Sequence, residues 1–71
     1  MSETNELPLR WLILVTDSEG NTEEVGDVAT ESELETVMET HLAAGKNAWA
    51  IQYREGQKEV ALRANNIRIN A

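Results

Sequence analysis

The run LRWLILVTD, from Leu9 to Asp17, constrains this chain more than any other stretch. Read with a period of two, Leu9, Trp11, Ile13 and Val15 point to one side, and Leu12 and Leu14 to the other. Both sides are apolar. A strand of that kind belongs in the middle of its sheet with both faces covered. The chain has 71 residues, enough for one domain with one thin core.

The flanking segments supply neighbours and cover. Residues 1–8 are expected to form a disordered leader ending at Pro8, and residues 9–71 a single domain. Ser18-Glu19-Gly20-Asn21 has turn chemistry. Thr22–Ala29, with few apolar residues and a glycine at Gly26, predicts an edge strand carrying a bulge. Thr30–Ala44 predicts a helix. Thr30 with Glu33, or Ser32 with Glu35, fits the capping box at its start. Leu34, Val37, Met38 and Leu42 form its apolar stripe, and Gly45 suits a left-handed stop.

Asn47–Arg54 (NAWAIQYR) alternates as a strand. Glu55-Gly56 then reads as a hairpin turn, Lys58–Arg63 as the returning strand with Val60 and Leu62 inward, and Ile67 and Ile69 as a last short strand. The expected fold is α+β: a small antiparallel β-sheet in the order β-β-α-β-β, with one helix on one face. On that reading Leu12 and Leu14 lie on the uncovered face and form an apolar patch suited to pairing two copies.

Charge narrows the function. The net charge is −7, and it is unevenly spread. Asp17, Glu19, Glu23, Glu24, Asp27, Glu31, Glu33, Glu35 and Glu39 follow one another with no lysine or arginine between them. Such a chain is repelled by nucleic acid and by anionic membranes, and its field favours basic partners. Arg10, Arg54, Arg63 and Arg68 all fall on expected strands, but no aromatic platform is interleaved with them. The longest apolar run, Trp11 to Val15, is too short to span a bilayer, and MSETNE lacks the basic start of a signal peptide. A cytoplasmic protein is expected. The chain has no cysteine, so disulfides, thiolate metal sites and cysteine nucleophiles are excluded.

Catalytic and metal chemistry find little support. Asp17, Glu19 and Asn21 have the first three spacings of a calcium loop, but the required glycine position is Thr22 and the twelfth position is Val28. His41, the single histidine, has no evident nucleophile or orienting partner. No phosphate-binding glycine loop and no HExxH motif occur. The expectation is a non-enzyme with no cofactor.

The acidic helix is the most informative surface. Glu31, Glu35 and Glu39 stand four residues apart on one stripe, spaced by about 6 Å along the axis. Like charges at that spacing cost only a few tenths of a kcal/mol, so solubility alone can explain them. The alternative use is docking on a basic patch, with Glu23, Glu24 and Asp27 of the adjoining hairpin contributing. The layout RWLILVTDSEG, then ATESELETVMETHL, then NAWAIQYR resembles short phage-encoded inhibitors of host enzymes, including the small RNA polymerase inhibitor of T7-like phages. The likeness lies in element order and acidic surface, and carries no specific residue. It implies a phage or mobile-element origin, and the acidic surface itself sets the expectation of an inhibitor or modulator of a protein with a basic surface, such as a nucleic-acid enzyme.

Overall fold

A computed structural model of the chain describes residues 7–69. The elements run β1 (Leu9–Thr16), β2 (Thr22–Val28), α1 (Glu31–Ala43), β3 (Asn47–Arg54) and α2 (Lys58–Ala64). The three strands form one antiparallel sheet in the order β2-β1-β3. The fold is α+β, with β1 in the centre as its two apolar faces require. Most of the disordered leader expected over residues 1–8 lies outside the described residues. Its last two residues are tied down: the Leu7 carbonyl accepts from Arg54 at 2.9 Å, and the Pro8 carbonyl from the Glu55 N–H at 2.9 Å.

β1 and β2 join through a tight turn. The Asp17 carboxylate accepts the N–H groups of Glu19 at 2.9 Å and Asn21 at 2.8 Å, and Gly20 takes φ 88°. These contacts, the Asn21 N–H foremost, hold the Asp17 carboxyl below its usual range. Ile13 pairs with Gly26 and Leu14 with Glu24, which leaves Val25 as the extra residue of a bulge. A Cβ on Gly26 would lie 3.2 Å from Ile13 Cδ1 and 3.4 Å from Val37 Cγ1. The missing side chain therefore lets α1 approach the sheet.

α1 links two strands that lie on either side of β1, so it crosses over the central strand. Its start uses the expected Thr30–Glu33 pair, with the return bond shifted one residue before the cap. The Thr30 hydroxyl accepts from the Glu33 N–H at 3.2 Å, and the Glu33 carboxylate accepts from the Ala29 N–H at 3.3 Å. At its end, Gly45 at φ 83° donates to Leu42, and Lys46 donates to His41. The half-buried stripe is Leu34, Val37, Met38 and His41. His41 takes the place expected for Leu42, which is 51% exposed.

The segment after Gly56 departs from expectation. Lys58–Ala64 is a helix and not a returning strand, and residues 67–69 carry no strand. The reason is in the residues. KEVALRA is rich in helix formers, and a helical period sets Lys58, Ala61 and Leu62 on one side. Val60, which a two-residue alternation would turn inward, is 55% exposed. α2 lies on the face of the sheet opposite α1.

Leu12, Leu14 and Tyr53 form the core of that second face, packed by Trp49, Ile51, Ala61, Leu62, Ile67 and Ile69. Leu12 and Leu14 are fully buried, so the uncovered apolar patch expected there does not exist. Burying each such leucine is worth about 1.5–3 kcal/mol, which favours a helix that covers them over a strand that would not.

Candidate functional site

The structure divides the acidic stretch in two. Asp27 and Glu24 lie on β2 and turn toward the α2 face, where each meets a cation. Arg10 Nε donates to Asp27 Oδ1 at 2.8 Å, and the Tyr53 hydroxyl donates to Asp27 Oδ2 at 2.5 Å. Lys58 Nζ lies 3.3 Å from Glu24 Oε2 and 3.8 Å from Asp27 Oδ2. This network, buried at Tyr53, half-buried at Arg10 and Asp27 and exposed at Glu24, ties β1, β2, β3 and α2 together. Partial burial acts to raise the Asp27 carboxyl, but the Tyr53 hydroxyl, the Arg10 guanidinium and the Lys58 charge outweigh it, and the group titrates below its usual range. Burial and the adjacent Asp27 push the Tyr53 hydroxyl up.

These are structural partners, so Asp27 and Glu24 are largely spoken for. Glu23 is different. It pairs in register with Val15 on the α1 side of the sheet, and it is exposed.

Glu31, Glu35 and Glu39 belong to the second group. All are exposed, and none makes an ion pair with a described residue. Their direction follows from helical geometry. Val37 packs beside Gly26 of β2, and Ser32, Glu33 and Thr36 border a groove with Val28 at the end of β2. That flank of α1 faces β2. A period of 3.6 residues then puts Glu31, Glu35 and the exposed Leu42 on the opposite flank, toward β3, with Glu39 nearer the outer surface. The six acidic residues expected to form one surface are therefore not contiguous. Three stand on the helix; of the three on β2, Glu24 and Asp27 turn to the opposite face of the sheet and Glu23 alone shares the α1 side.

The arginines do not form a basic strip. Arg10 and Arg54 occupy opposite faces of β-strands, Arg63 lies on α2, and Arg68 follows it. Among the described residues no group of three or more His, Asp or Glu side chains is placed to hold a metal ion. His41 sits half-buried on the sheet-facing side of α1. No helix among the described residues is long and apolar enough to cross a membrane.

Tyr53, Arg10 and Lys58 were missed as a group by sequence reasoning. Their signal was faint: Arg10 and Asp27 are charged residues inside strand-like runs, and such residues usually have partners. The chain matches no protein-family model, no curated protein and no solved structure. The fold and the site together define a small α+β protein whose acidic helix flank makes no ion pair among the described residues.

Proposed function

We propose that this chain is a non-enzymatic protein-binding module that docks the outer side of α1 on a basic surface of a protein partner, as inhibitor or modulator. The observation that supports this reading is the contrast within the acidic stretch. Where the fold needs a carboxylate, at Asp27 and Glu24, it supplies cations. Glu31, Glu35 and Glu39 receive none, although they line one helix and repel each other. Unpaired charge of one sign steers a partner of the other sign and sets its orientation. A nucleic-acid enzyme, whose substrate groove is basic, has the surface chemistry this flank would fit.

Assembly through Leu12 and Leu14 was the competing use, and those side chains are fully buried. The test is capture of partners from a bacterial lysate by the wild-type chain and by a Glu31→Lys, Glu35→Lys, Glu39→Lys variant. The wild type should capture a basic protein at low salt and release it at high salt. The variant should fold, by circular dichroism, and capture nothing. Equal capture by both would remove the proposal.

A further inference from the structure

The two outer edges of the sheet are unequal, and the difference bears on how a partner binds. β3 pairs with β1 over eight consecutive positions, Leu9 with Arg54 through Thr16 with Asn47, without a break. The Glu55 N–H bonds to the Pro8 carbonyl at the end of the same ladder. Hydrogen-bonded pairs alternate in an antiparallel ladder, so Tyr53, Ile51, Trp49 and Asn47 direct their backbone groups at β1. Ala48, Ala50 and Gln52 direct theirs outward, where no described residue bonds them. Their side chains are small or exposed and stand on the α1 side of the sheet. No charge or proline interrupts the strand between Lys46 and Arg54, the devices that normally block an edge.

α1 crosses above β1, and strands lie about 4.8 Å apart. A helix with side chains is about 10–12 Å across, so its flank overhangs β3. That flank carries Glu31, Glu35 and Leu42. We infer that the outer edge of β3 takes up an extended basic segment of a protein partner by strand addition, with every second side chain on the α1 side beside Glu31 and Glu35. This rests on the acidic flank being the docking surface, and it specifies the mode. Lys46 and Arg54 bound this outer edge, and the stretch between them matches a segment of about seven residues at the strand rise.

Charge complementarity selects this occupant over a second copy. Antiparallel pairing of two β3 strands about Ala50 would set Lys46 against Arg54 and place both acidic helices on the same side, flank to flank. A basic segment meets neither obstacle at its centre.

The probe is the capped peptide Lys-Val-Lys-Val-Lys-Val-Lys, added to the full chain at low salt and followed by amide NMR. Signals of Ala48, Ala50 and Gln52 should shift, and their hydrogen exchange should slow. The same peptide N-methylated at every amide should bind about tenfold more weakly or worse, because it cannot join a ladder. Equal binding of the methylated peptide, with shifts confined to α1, would overturn strand addition and leave the acidic flank standing. Equal binding to the Glu31→Lys, Glu35→Lys, Glu39→Lys variant would overturn both. No shift at millimolar peptide, equal binding of the Glu-for-Lys peptide, or concentration-dependent shifts at these amides without peptide would each overturn the inference, the last in favour of a second copy.

Discussion

β2 and β3 flank the same central strand, run in the same direction and have similar lengths, yet they end the sheet in different ways. β2 is bulged at Val25, carries Glu23, Glu24 and Asp27, and ties two of its acids to Arg10 and Lys58. Bulges and charge are the usual means of closing an edge to other strands. β3 has a regular register and no charge between its ends. The acidic residues therefore stand in two different settings. On β2 they are anchored and hold the sheet to α2. On α1, above β3, they have no cation beside them among the described residues.

The contrast can be broken by substitution. Leu12, under α2 on the strand both edges share, sets the scale: Leu12→Ala should lower stability by about 2–5 kcal/mol in urea unfolding. On the β2 side, Gly26→Val should cost about 1–3 kcal/mol by overpacking against Ile13 and Val37, and it should loosen α1 from the sheet. Asp27→Asn should cost about 1–3 kcal/mol, because Arg10 and Tyr53 lose a charged acceptor.

The pH dependence sharpens the third case. The folded carboxyl of Asp27 titrates below its unfolded value, so its stabilisation is present above the unfolded value and is lost as pH falls through the folded one. The loss on acidification should therefore be smaller in Asp27→Asn than in the wild type. A parallel loss in both would show that other carboxylates carry the effect. On the β3 side, Gln52→Thr should change stability by no more than about 0.5 kcal/mol, since its side chain is exposed on an edge. A larger change would mean that this edge is held as firmly as the other.

Local signals carried much of the architecture. The two-faced apolar run at Leu9–Asp17 located the central strand. The capping residues Thr30 and Glu33 and the stop at Gly45 placed α1 to within a residue. Gly26 marked the bulge. What failed was Lys58–Ala64, where seven residues with apolar groups at Val60, Ala61 and Leu62 fit either period. The choice between them lay elsewhere in the chain, in the need of Leu12 and Leu14 for cover. The same misassignment created the false dimer face.

The candidate site was legible in part. The stripe Glu31, Glu35, Glu39 follows from spacing alone. Its separation from Glu24 and Asp27 depends on which side of the sheet each acid turns to, and the bulge at Val25 decides that.

One further consequence concerns the two tryptophans, the only ones in the chain. Trp11 lies on the α1 side of the sheet. Trp49 lies on the α2 side, its indole N–H donating to the Thr16 hydroxyl at 2.9 Å. The molecule thus carries one fluorophore on each side of its sheet. A Trp11→Phe variant reports on the α2 side alone, and a Trp49→Phe variant on the α1 side alone. Coincident transitions in the two would show that both helices leave the sheet as one cooperative unit, and separated ones that each layer has a stability of its own.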